Sequence, residues 1–238
     1  MWRFRGSERI RSNGRSENLK LYYLIYYIGT LRSRKIIIQH YGKDFYEKFR
    51  VQSKHLVISI IEKTPNIGRT LYSFNYAFAP AYIAWYKTAR ALGVSKEQTD
   101  HLLWDINESF FRIVPTICTS LYMSHYLNNF RRKAPIHEKL SNSNQTHPYD
   151  FKIKFQSIDK NTFEIDIYEC GMMKLAKDFD ALEMFPSICR VDYLLSNIMG
   201  AGFERTKTLG DGNDCCNCRY IKGGYCPWSP EKGFEERK

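Results

Sequence analysis

The chain has 238 residues, of which 43% are hydrophobic and 15% aromatic, and a net charge of +11. That length and apolar share fit one sizeable domain, or two small halves with a common core, and exclude a disordered chain. The first fifty residues hold twelve Lys and Arg against four Asp and Glu, so +8 of the +11 lies there and the remainder is nearly neutral.

The basic excess begins in Met1–Asn18, a Gly/Ser/Arg/Asn-rich stretch that reads as a solvated leader. A nucleic-acid binder would instead spread its cations as a stripe over folded surface, so no nucleic-acid partner is expected. Leu21–Ile28 is short and tyrosine-rich, with no small-residue cleavage site after it, which argues against a secretory signal. No run approaches the ~20 apolar residues of a membrane span, and no membrane partner is expected. Seven cysteines, an odd number, then point to reduced thiols in a cytoplasmic setting.

In chain order, apolar positions at turn spacing predict helix over 20–50 with a break at Gly29, and again over Gln52–Glu62, ending at Thr64-Pro65-Asn66-Ile67-Gly68. Tyr76–Leu92 reads as a buried helix stopped by Gly93. Ser95, with Gln98 three residues on, is the signature of a capping box, and the helix behind it runs towards Phe111. Pro115 should interrupt the next helix, which continues through Asn129. Residues 133–150 read as a polar connector, and 230–238 as a charged tail. Beyond the connector the period changes to two: Phe151–Phe155 and Thr162–Tyr168 form a hairpin with one buried face. Short helices over Gly171–Phe179 and Ser187–Ile198 follow, then strands over Phe203–Leu209 and Cys216–Ile221. The expectation is an α+β fold: a helical N-terminal half (20–132) packed against a C-terminal antiparallel sheet with short helices (151–229, ββααββ), with 20–229 as one compact unit.

The chemistry-bearing residues concentrate in that second half. Cys170 lies where a strand gives way to a helix, and unpaired N–H groups at a helix N-terminus favour a thiolate; a small buried apolar cysteine is an equally good reading of the position. Cys189 and Asp192, spaced i and i+3, share a helical face and could combine a thiol with an acid/base group, although from position alone an early-helix charge favoured by the dipole is the better reading of Asp192. Cys215-Cys216-Asn217-Cys218 and the later Cys226 contain a single C-x-x-C, and no histidine follows His147, so no metal is expected. Arg205 or Arg219, projecting into a pocket, would be the natural fork for a substrate carboxylate, although an exposed cross-strand charge is the commoner situation for either alone.

Taken together, Tyr168-Glu-Cys170, Cys189-Arg-Val-Asp192, Gly202-Phe-Glu-Arg205-Thr206-x-Thr208-Leu and Gly212-x-x-x-Cys216-Asn-Cys-Arg219-Tyr220 resemble the C-terminal signature of the L-2-amino-thiazoline-4-carboxylic acid hydrolase family. Pro65-Asn-Ile67-Gly68 and Leu92-Gly93-Val-Ser95-Lys-Glu97 extend the resemblance over roughly residues 40–222. Asn217 and Cys218 stand where the family usually has Asp and Phe. The resemblance implies a hydrolase acting on the carbon–nitrogen bonds of a cyclic amidine. A thiazoline ring would open to an N-carbamoyl-cysteine by attack on the carbon between nitrogen and sulfur. It also implies catalytic roles for Cys170, Cys189, Asp192 and Cys216, and a hold on a carboxylate-bearing small molecule by Arg205, Thr208 and Arg219. No cofactor is implied, and an oligomer is compatible. The rival readings are a non-catalytic module holding a small ligand or tetrapyrrole in a cysteine-lined pocket, and a metal protein using Cys215, Cys218 and Cys226.

Overall fold

The computed structural model describes residues 6–112 and 116–226, leaving out the side chains of 6–18 and 116–123. Its first half is helical: α1 (Gly6–Arg32), α2 (Arg34–Tyr41), α3 (Lys43–Lys63), α4 (Ser73–Tyr76), α5 (Ala79–Ala91), α6 (Lys96–Phe111) and α7 (Thr116–Asn142). The second half runs β1 (Lys152–Ser157), β2 (Thr162–Glu169), α8 (Gly171–Asp178), α9 (Phe185–Cys189), α10 (Val191–Met199), β3 (Gly202–Glu204) and β4 (Cys216–Ile221). The fold is α+β, with an antiparallel sheet in the order β1-β2-β4-β3.

α5 is the hub of the helical half. Its residues from Ala79 to Tyr86 are all buried, the pattern of a helix enclosed on every side. Polar edges are satisfied locally: Trp85 Nε1 donates to Thr30 Oγ1 at 2.9 Å, and Tyr82 donates to Asn107 Oδ1. The capping box read from Ser95 and Gln98 is present, with Ser95 Oγ accepting from Gln98 N at 3.1 Å. The sheet lays Ile153, Phe163 and Ile165 inward, and Phe163 stacks on Phe130 of α7.

Several boundaries differ from the sequence reading. α1 begins at Gly6, inside the stretch read as a leader, and continues through Gly29; the breaks come at Ser33 and Gly42 instead. α7 runs on to Asn142, through most of the expected connector and across Pro135. Its reason is a buried face at helical spacing, Leu127, Phe130, Ala134, His137 and Ser141, which seats the helix on β1. The strand expected over Phe203–Leu209 stops at Glu204, because Arg205 turns in and Thr208 caps a 3-10 turn over Leu209–Asp211. α9 and α10 divide what reads as one helix. The expected interruption at Pro115 and the charged tail lie outside the described residues, as do Met1–Arg5 of the leader.

Candidate active site

A cavity of about 130 Å³ lies between the sheet and the helices. Much of its wall is aromatic, from Tyr72, Phe78, Phe130, Phe151 and Tyr220. Its chemistry comes from Cys170, Cys189, Asp192, Arg205, Cys216 and Cys218. A hollow of ~150 Å³ holds a molecule the size of benzene, so the space suits one small ring.

Each group is delivered by a particular joint in the fold. Cys170 is the N-cap of α8, directly after β2. Gly171 makes that junction possible, since a Cβ there would meet the Tyr149 carbonyl oxygen at 2.1 Å. Cys216 and Cys218 alternate along β4 opposite Ile167 and Ile165 and face the cavity with them. Cys189 ends α9, and Asp192 sits in the first turn of α10.

The thiols form a connected set. Leu209 N donates to Cys216 Sγ at 3.2 Å, and the Cys189 thiol hydrogen-bonds the Cys216 sulfur. That bond, with burial behind it, holds the Cys189 pKa well above the usual thiol value. Burial also pushes Cys218 up. Cys170 departs from the sequence expectation of an acidified thiol. Burial pushes it up to about 12, although the amides of Met173 and Met172 at the start of α8 pull the other way. The helix terminus is real, and desolvation outweighs it.

Arg205 has its fork engaged within the protein. Nη1 donates to Asp192 Oδ2 at 3.0 Å and Nη2 to the Cys189 carbonyl at 2.8 Å. The guanidinium lies over the rings of Tyr193 and Phe203 at 5.2 and 5.3 Å. Its side chain is 1% exposed and that of Asp192 36%, so the arginine is the buried anchor and the carboxylate faces the open side. Arg205 is therefore the group that orients Asp192.

The structure brings Cys170, Cys189, Asp192, Cys216 and Arg205 to one cavity and leaves Thr208 and Arg219 out of its wall. Thr208 Oγ1 accepts from Asp211 N at 2.9 Å and donates to Asp211 Oδ2 at 3.0 Å, capping the turn that aims Leu209 N at Cys216. Arg219 is on the opposite face of the sheet between Glu164 and Glu204, at 3.7 and 3.8 Å. Asn217 shares that face, where Oδ1 accepts from Thr206 N at 3.1 Å and Lys207 N at 2.7 Å. Among the described residues no group of three His, Cys, Asp or Glu side chains is arranged to hold a metal ion, and no helix is long and apolar enough to cross a membrane. Tyr72 is one of the cavity residues that sequence reading passes over: it lies in a loop segment with no periodic or motif signal.

The model of the L-2-amino-thiazoline-4-carboxylic acid hydrolase family matches residues 75–220. The chain belongs to this family. No curated protein matches it. The family's span reaches from α4 to β4, so in this hydrolase-family chain it contains the thiols, Asp192 and Arg205, while Tyr72 and Phe74 of the cavity wall precede it.

Proposed function

We propose that the cavity opens a cyclic amidine of the thiazoline type by adding water. The observation that carries this reading is the placement of Asp192, oriented by the buried Arg205, at the wall of an aromatic hollow sized for one small ring. Water attacks the ring carbon between nitrogen and sulfur and gives a proton to Asp192. The carbon–sulfur bond of the tetrahedral intermediate then breaks as its hydroxyl becomes the carbonyl, the hydroxyl proton passing to the ring nitrogen. The ring sulfur leaves as a thiolate and takes the proton back, so one water has been added and the product is an N-carbamoyl-cysteine.

Water is preferred to a cysteine as the attacking group on energetic grounds. With its pKa near 12, a Cys170 thiolate at pH 7 costs about 7 kcal/mol, five units at about 1.4 kcal/mol each. The thiols then shape the site around a sulfur-bearing ring. The partner in this reading is a small carboxylate-bearing molecule, and the setting is reducing and cytoplasmic.

The test is hydrolysis of L-2-amino-thiazoline-4-carboxylate by three proteins. Asp192→Asn should lose at least a thousandfold in kcat, and Cys170→Ser should stay within about tenfold of wild type. Loss of activity in Cys170→Ser comparable to that in Asp192→Asn would replace water by a covalent thiol mechanism. Tight binding without turnover by the wild type would make the chain a ligand-holding module.

A further inference from the structure

If Arg205 is committed to Asp192 and Cys189, and Arg219 and Thr208 lie outside the cavity wall, the substrate carboxylate of the proposed reaction needs another partner. The Tyr72 hydroxyl meets the requirement. It is buried, it belongs to a residue of the cavity wall, and it has no hydrogen-bond partner among the described residues. A buried hydroxyl left in that state is costly unless a ligand completes it.

The ring that carries it is held in place. Tyr72 stacks on Phe151 with centroids 4.3 Å apart and an interplanar angle of 15°. The ring of Phe130 meets it edge-on at 5.5 Å and that of His137 at 5.4 Å. The hydroxyl is thus a preorganised donor, in place before anything binds. Burial raises its pKa well above the usual phenol value, so it stays protonated and donates. Behind burial, the ionisable groups that push it the same way are, in falling order, Cys218, Tyr126, Asp192 and Cys170. The same neighbourhood surrounds Tyr220, another residue of the wall. This end of the cavity is accordingly rich in neutral tyrosine hydroxyls, and the charge of Asp192 reaches both Tyr72 and Tyr220.

We propose that Tyr72 is a substrate-binding residue whose hydroxyl donates a hydrogen bond to the carboxylate of the ring substrate, setting the reacting carbon towards Asp192. This rests on the hydrolase reading and deepens it. A carboxylate bound through neutral O–H donors avoids the repulsion it would meet beside Asp192, and no free guanidinium is needed. Tyr72 lies just before residues 75–220, the span that the family model matches.

Calorimetric binding of two probes to wild type and Tyr72→Phe tests it: L-2-amino-thiazoline-4-carboxylate, and 2-amino-thiazoline, which lacks the carboxylate. Phenylalanine keeps the ring stack and removes only the oxygen. The expected result is a loss of about tenfold or more in affinity for the carboxylate probe, with 2-amino-thiazoline unchanged. Because the substitution removes an unsatisfied buried hydroxyl, the melting temperature of the ligand-free variant should be equal to or above that of wild type. Equal weakening for both probes, no weakening for either, or a lower melting temperature would overturn the assignment while leaving the hydrolase reading standing. Failure of the wild type to bind either probe would overturn both.

Discussion

A methyl group at position 210 would lie 2.7 Å from Cys189 Sγ and 2.8 Å from the Phe185 carbonyl oxygen. Gly210 is therefore the point where the turn after β3 presses on the end of α9, and it brings Leu209 N into line with Cys216. Gly210→Ala should cost about 1–3 kcal/mol in urea unfolding, because the backbone oxygen cannot swing aside as a side-chain tip can. An unchanged midpoint would mean that the turn relaxes freely. Residue types in the site were legible from sequence in unequal degree. Cys170, Cys189, Asp192 and Cys216 converge because each sits at a strand or helix end whose spacing can be read. The directions of Arg205, Thr208 and Arg219 were not legible, since a side chain's direction at a strand end depends on where the strand stops.

Among the elements, α6 is the most completely written in sequence: its capping box, first turn and last residue all follow from local chemistry. Ser95→Ala removes the acceptor for Gln98 N and should lower stability by about 1 kcal/mol, read as a shift in thermal midpoint. Retention of the full midpoint would mean that packing of α6 holds the turn without its cap. α7 was harder to read, because its buried face uses Ala134, His137 and Ser141, which carry little hydrophobic signal. His137 is retained there by its ring nitrogen Nε2, 2.9 Å from the Phe151 carbonyl oxygen. The strands with strict alternation, β1, β2 and β4, were recovered to within a residue or two. β3 was overextended because Thr206 and Thr208 continue the alternation after the backbone has left the sheet.

At the scale of the whole molecule, the buried thiols tie stability to alkaline pH. Cys170 has a folded pKa of about 12 against ~8.5 in an unfolded chain, so its contribution is whole below ~8.5 and is lost as pH rises towards 12. The same sign applies to Cys218 and Cys226, and to Tyr22, whose burial likewise raises it to about 12. Unfolding free energy should therefore fall steadily above about pH 8.5, and Cys170→Ser should flatten that fall by about 1.4 kcal/mol per pH unit. Urea titrations at pH 8, 9 and 10 check it; parallel slopes for the two proteins would show that this thiol does not couple to folding.

The alternation of β4 places Cys216 and Cys218 towards the cavity and Asn217 and Arg219 on the other side of the sheet. Neighbouring letters of the sequence thus meet different surroundings. An amide in place of a carboxylate at Asn217 alters the latch on Thr206 and Lys207 and takes no ionisable group from the cavity. A deletion of a single residue in the strand would exchange the two faces and abolish the thiol wall at once.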